Sequence, residues 1–185
     1  MSALIVVSGP SGVGKGTLVR RVLNHFPQLK IGLSWTTRKP RRGDAEGTKQ
    51  YRYVTRDEFM EAVERGEFLE WAEYSGNLYG SWKGEGQHTL LEIETQGALQ
   101  VAMATDNAFL VGVLPPGDDL DQKLAVIEQR LLGRDTEAAD VARQRLAIAP
   151  KEIAAIERWW PHIIINDDVE RASQELIELV EPQLC

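Results

Sequence analysis

Apolar residues in this chain fall into short runs of strand length that alternate with longer segments of helical spacing. Leu4-Ile5-Val6-Val7 opens a strand that reaches Ser8. Ile31 to Ser34 and Tyr51 to Val54 read as short strands, and Phe68 to Tyr74 mixes apolar and polar positions as a half-buried strand does. Leu90 to Glu94 is a further strand with two carboxylates near its C-terminal end. Phe109 to Leu114 reads as a buried strand stopped by Pro115-Pro116, and Ile163-Ile164-Ile165 as the last strand. Helical segments fill the intervals. One runs to His25 and stops before Pro27. A second follows the capping box Thr55-Arg56-Asp57-Glu58, carries Phe59, Met60 and Val63, and ends near Gly66. Leu120, Leu124, Ile127 and Leu131 mark one face of a third. A fourth begins near Thr136 and is interrupted or kinked at Pro150. Val169 to Val180 closes the chain, and Lys39 to Gln50 is a loop rich in charge, Gly and Pro. Alternating strands and helices predict an α/β fold built on a mainly parallel sheet.

The turn after the first strand carries the chemistry. Gly9-Pro10-Ser11-Gly12-Val13-Gly14-Lys15-Gly16-Thr17 lies between that strand and the first helix. In such a phosphate-binding loop, successive backbone N–H groups point into one concavity that cradles anionic oxygens. Glycines let the backbone approach closely, and the helix N-terminus adds roughly half a positive charge. Lys15 is placed to reach terminal phosphates. Position 16 is Gly where the usual motif has Ser or Thr, which removes a hydroxyl that normally ligates magnesium; Thr17 is expected to touch phosphate instead. Ligands of open α/β sheets bind beyond the carboxyl ends of the strands. The loop, Glu92, Glu94 and Asn166 all fall at such ends, so separate stretches are expected to meet in one crevice.

Composition narrows the field. A length of 185 residues suits one domain with a sizeable core. The single cysteine, Cys185, allows no internal disulfide, so a reducing, cytoplasmic setting is expected. Residues Met1 to Leu4 read as the start of a strand, not a signal peptide, and no apolar stretch is long enough for a membrane helix. A net charge of −7 argues against general binding to nucleic acid or membrane. The positive charges nevertheless cluster, at Arg38, Lys39, Arg41 and Arg42 and at Arg130, Arg134, Arg143 and Arg145, which points to local sites for small anions. His25, His88 and His162 lack metal-ligand spacing and read as structural. Trp71, Trp82, Trp159 and Trp160 read as packing residues.

With these residues in view, the chain resembles the guanylate kinases over nearly its full length. The resemblance rests on Ser8 to Lys15, Ser34 to Arg41, Tyr51 to Val54, Phe68 to Glu73, Gly76 to Ser81, Glu92 to Gly97, Arg130 to Arg134 and Asn166 to Asp168, taken in order. It implies transfer of the γ-phosphoryl group of ATP to GMP with magnesium. It also implies a P-loop core (residues 1–33, 83–128 and 162–185), an inserted GMP-binding region (34–82) and a helical lid (129–161). The substrates would be ATP and GMP, with dGMP a further acceptor, in a monomer or homodimer. Gly9 to Thr17 and Asn166 would bind ATP. Ser34, Arg38, Arg41, Tyr51, Glu70, Tyr79, Ser81, Glu92 and Glu94 would bind GMP. Lys15, Arg38, Arg130, Arg134 and Arg145 would be catalytic, with Arg143 left to the surface.

The chemistry fits these residue types. The acceptor is an anionic phosphate oxygen, so no general base is required; catalysis comes from aligning two polyanions and neutralising their charge. Arginine forks bind phosphate oxygens in pairs. Guanine presents two adjacent donors that one carboxylate, matched here by Glu70, can accept together. Glu92 and Glu94 stand where the family often has aspartates, and they would serve guanine and, through water, magnesium. Residues 82–89 are too short and glycine-rich for the helix the family carries there, the segment 117–126 is longer than usual, and Tyr51 lies one residue further from Gly47 than in the family. Competing readings are a related P-loop kinase acting on another phosphorylated acceptor such as ribose 1,5-bisphosphate, and a non-catalytic guanylate-kinase-like binding module.

Overall fold

The computed structural model describes residues 2–40, 50–74, 76–84, 87–133 and 139–185. In chain order the elements are β1 (Leu4–Ser8), α1 (Lys15–His25), β2 (Lys30–Ile31), β3 (Leu33–Thr36), β4 (Gln50–Tyr53), α2 (Arg56–Glu64), β5 (Phe68–Tyr74) and β6 (Asn77–Trp82). They continue as β7 (Thr89–Ile93), α3 (Thr95–Ala104), β8 (Ala108–Leu114), α4 (Leu120–Leu132), α5 (Ala139–Trp159), β9 (His162–Ile165) and α6 (Val169–Val180). No helix among the described residues is long and apolar enough to cross a membrane.

The chain forms two sheets. The first has five parallel strands in the order β2-β7-β1-β8-β9, with β1 at its centre. Ile5 and Val7 point into a core shared with Leu18 and Val22 of α1 and Ala172 and Leu176 of α6. Val6 points the other way, into a core with Val101 of α3, Ile127 of α4 and Ile153 and Ile156 of α5. Helices cover both faces, so β1 is apolar without alternation. The loop after β1 lies at the carboxyl edge of this sheet, where β7 and β9 also end.

The second sheet has the order β4-β3-β6-β5. Strands β3 and β4 are parallel, and the β3–β6 and β5–β6 pairs are antiparallel. Helix α2 covers one face, packing Phe59 and Ala62 against Trp35, Phe68 and Leu78, with the Phe59 ring stacked on Phe68 at 4.6 Å. The capping box forms as the sequence requires. Thr55 Oγ1 accepts from the Glu58 N–H at 3.2 Å, and Glu58 Oε2 accepts from the Thr55 N–H at 2.7 Å.

The structure departs from the sequence reading at several places. Ile31 to Ser34 is not one strand. It divides at Gly32, with Lys30–Ile31 paired to β7 in the first sheet and Leu33–Thr36 paired to β4 and β6 in the second. The chain changes sheets there against Leu91, whose Cδ2 would lie 2.3 Å from a Cβ at position 32. Strand β6 and helix α3 were not anticipated as elements. Glu94 is not a strand residue but the cap of α3. Helix α5 is not interrupted at Pro150 and continues to Trp159, anchored by Ala149 and Ile153 in the second core. Its expected start near Thr136 lies outside the described residues. Trp160 is buried, whereas Trp159 is 62% exposed with Arg158 over its ring, so it is not a packing residue.

Candidate active site

The phosphate loop is braced from several elements. Gly14 takes φ +100° and ψ 15° as the cap of α1, a left-handed conformation open to glycine. Lys15 is buried and its Nζ donates to the Gly9 carbonyl and, at 3.2 Å, to the Pro10 carbonyl. Asn166, at the carboxyl end of β9, donates from Nδ2 to the Val13 carbonyl at 2.7 Å. Arg130, at the end of α4, donates to the Val13 carbonyl at 3.0 Å and to the Asn166 carbonyl at 2.8 Å. Burial pulls the Arg130 guanidinium below its ordinary pKa, since the acceptors it meets here are neutral carbonyls. Arg145 of α5 donates to Ser11 Oγ at 3.0 Å. Lys15, Arg130, Arg145 and Asn166 are therefore gathered on one loop by four different elements. Thr17 is exposed on the first turn of α1, and Arg134 lies outside the described residues.

The second sheet assembles the other group. Its register aligns Tyr51, Ser34, Ser81 and Glu70 in one row across all four strands. Residues two apart share a face, so Tyr53, Thr36 and Tyr79 form the next row on the same side. Ser81 donates from Oγ to Glu70 Oε1 at 2.6 Å. The Arg38 guanidinium, on a residue 9% exposed, lies 4.7 Å from the centre of the Tyr51 ring and 5.6 Å from that of Tyr53. Arg41 lies outside the described residues. Tyr53 and Thr36 were missed by the sequence reading, although the alternation around Tyr51 and Ser34 marks them. A cleft of about 660 Å³ opens on the opposite, α2-covered side, lined in part by Trp35 and Arg52. It faces away from this polar row.

Helix α3 joins the two groups. Glu92 is half-buried near the end of β7, paired with Val7 of β1, and exposed Glu94 follows at the cap of α3. Gly97, in the first turn, lies so close to Glu70 that a Cβ there would meet Oε2 at 2.8 Å. Thr95 donates its N–H to Oε1 of Glu152 on α5 at 3.4 Å. Glu152 is 8% exposed and its pKa is raised, first by burial and then by Glu94; Lys15 and the Thr95 hydrogen bond oppose the shift. The sequence reading passed over Glu152. Its signal was an acid within the apolar stripe Ala149, Ile153 and Ile156.

The sequence model of the family described as guanylate kinase matches residues 1–183. The chain belongs to the guanylate kinase family. It is 44% identical over 184 residues to the guanylate kinase of Rubrobacter xylanophilus, covering 96% of this chain and 92% of that one. It is 38% identical over 180 residues to the guanylate kinase of Prochlorococcus marinus, covering 94% and 92%. The crystal structure of guanylate kinase from Anaplasma phagocytophilum superposes with a TM-score of 0.72 at 26% identity, over 99% of this chain and 86% of that one. The family's α/β architecture with a parallel central sheet is the one described above.

Membership in the family raises the question of magnesium. Gly16 supplies no hydroxyl, and the carboxylates of Glu92, paired with Val7 near the end of β7, and of Glu94, at the cap of α3, stand at the carboxyl edge of the central sheet. Among the described residues no group of three or more His, Cys, Asp or Glu side chains is arranged to hold a metal ion. Hard carboxylate donors in small number suit a magnesium ion that arrives with phosphates and keeps much of its water. The donor set fits that group.

Proposed function

We propose a division of labour among these residues for the guanylate kinase reaction, in which ATP phosphorylates GMP to give ADP and GDP. The row Tyr51, Ser34, Ser81 and Glu70 carries the proposal. Glu70 accepts the paired N–H donors of guanine, with Ser34 and Ser81 beside it, and Ser81 already holds one carboxylate oxygen at 2.6 Å. A site built for those donors penalises adenine, because the carboxylate would be left unpaired, and discrimination of ~10⁴ is within reach. Arg38, Tyr51 and Tyr79 hold the GMP phosphate, together with Arg41.

Lys15 and the loop amides bind the ATP phosphates. Arg130, Arg145 and Arg134 close on the transferring group; the contacts of Arg130 and Arg145 with the loop support this reading. Asn166 serves ATP by fixing the loop. Glu92 and Glu94 would serve guanine and, through water, magnesium, which would supply charge neutralisation at the phosphates. The proposal includes the division into core, GMP-binding region and lid, the acceptance of dGMP, and a cytoplasmic setting for a chain whose one cysteine is unpaired.

The test is ADP release from MgATP with GMP, dGMP, AMP, UMP, CMP and ribose 1,5-bisphosphate as separate acceptors, repeated with Glu70→Gln. Turnover confined to GMP and dGMP, with a selective loss of GMP in the variant, supports the assignment. Equal losses for GMP and AMP remove Glu70 from the base site. Turnover with the ribose bisphosphate alone replaces the reaction.

A further inference from the structure

Glu152 occupies a place that the packing of α5 otherwise gives to apolar side chains. Ala149, Ile153 and Ile156 carry α5 into the second core, and Glu152 shares their stripe at 8% exposure. A buried carboxylate is costly unless it is hydrogen-bonded and faces a countercharge. Thr95 supplies the hydrogen bond at 3.4 Å, and the positive charge of Lys15 lies within its field. Helix α3 has need of that acceptor. The first N–H groups of a helix lack partners within it, and Glu94, the cap of α3, makes no side-chain capping bond. The Thr95 N–H is satisfied from α5 instead. Two residues further on, Gly97 backs the carboxylate of Glu70.

We propose that Glu152 is a positioning residue that holds the first turn of α3 and, through Gly97, sets where the Glu70 carboxylate stands. The positive charge of Lys15 opposes the cost of burying this carboxylate, and the contact that carries the inference is the one with Thr95. A turn released from Glu152 would withdraw the surface behind Glu70 and let its carboxylate leave the Ser81 hydroxyl. The inference rests on the reading of Glu70 as the acceptor for guanine, and the experiment separates the two.

GMP binding is measured by titration calorimetry without ATP for Glu152→Ala, Glu152→Gln, Glu70→Gln and the double variant Glu152→Ala with Glu70→Gln. Thermal unfolding is recorded on the same samples. Glu152→Ala is expected to weaken GMP roughly tenfold, the effect of one lost hydrogen bond to a charged group. Glu152→Gln keeps an oxygen for the Thr95 N–H and is expected to stay within about threefold of wild type. In the Glu70→Gln background, Glu152→Ala should add little, because both act on one contact. A merely structural Glu152 would shift the unfolding temperature while leaving the GMP affinity of the folded protein, and its preference over AMP, unmoved; that result overturns the proposal. So does full additivity. If Glu152→Ala does not fold, Glu152→Asp, one methylene short of Thr95, takes its place with the same two outcomes. Weakened GMP in Glu70→Gln beside an unchanged Glu152→Ala removes only the role of Glu152. An unaffected Glu70→Gln removes the reading of Glu70 and this route with it.

Discussion

Replacing Gly97 with alanine would put a methyl carbon 2.8 Å from Oε2 of Glu70 and 3.1 Å from its Cδ. Something must yield, and Glu70 is the softer partner. It is the far end of a flexible side chain, whereas Gly97 sits in the first turn of a helix held by Glu152. To regain an ordinary contact the oxygen must retreat by about 0.6 Å. The other carboxylate oxygen is bonded to Ser81 at 2.6 Å, so this retreat turns the whole carboxylate away from its aim. A hydrogen bond to a charged group contributes about 1.5–3 kcal/mol. Misdirecting one of the two bonds to guanine should therefore weaken GMP by about ten- to hundredfold. Folding stability should change little. Alanine gains up to about 1 kcal/mol over glycine within a helix, and that gain offsets the strain. The assay is GMP affinity by calorimetry, beside kcat/KM for GMP and AMP and a thermal melt. Wild-type GMP affinity in Gly97→Ala would refute the reasoning, since either the helix gave way or the Glu70 carboxylate does not meet guanine.

Lys15→Ala should lower kcat by about two to three orders of magnitude through lost charge stabilisation, with folding intact, as read by ADP release. Asn166→Ala removes the 2.7 Å bond to the Val13 carbonyl, while the bond from Arg130 remains. It should cost about 1 kcal/mol in a urea titration and raise KM for ATP more than KM for GMP. Thr55→Ala should destabilise by about 1 kcal/mol without changing kcat, because the α2 cap lies on the apolar side of the second sheet. Glu58 carries the pH dependence of that cap. Hydrogen bonds from the Thr55 N–H and hydroxyl hold its pKa below the ordinary 4.5, so the ionised form is favoured in the fold. That stabilisation is present above 4.5 and is lost as pH falls through the lowered pKa. The stability gap between wild type and Thr55→Ala should narrow on acidification, and a gap that widens below pH 4.5 would contradict the assignment.

What the sequence determined by itself was local. Short apolar runs located β1, β8 and β9, and the capping box started α2, because pattern and capping act over a few residues. The phosphate loop was legible for the same reason: its glycines, its lysine and the two elements around it are contiguous. Helix α3 escaped notice, since a glycine stands in its first turn and its cap residue makes no side-chain bond. Strand β6 escaped as well; Gly80 sits at a core-facing position where the Phe68 and Phe59 rings fill the space, so no apolar alternation shows. Tertiary structure alone decided the rest. Gly32 divides one apolar run between two sheets because pairing with β7 on one side and with β6 on the other wins over local continuity. The row of Tyr51, Ser34, Ser81 and Glu70 exists only through register, which strands separated in sequence set by packing against α2. Glu152 became visible only once α5 was packed on α3. Its chemistry depends on Thr95 and Lys15, residues 57 and 137 positions away, and no short-range pattern reports a distance of that kind.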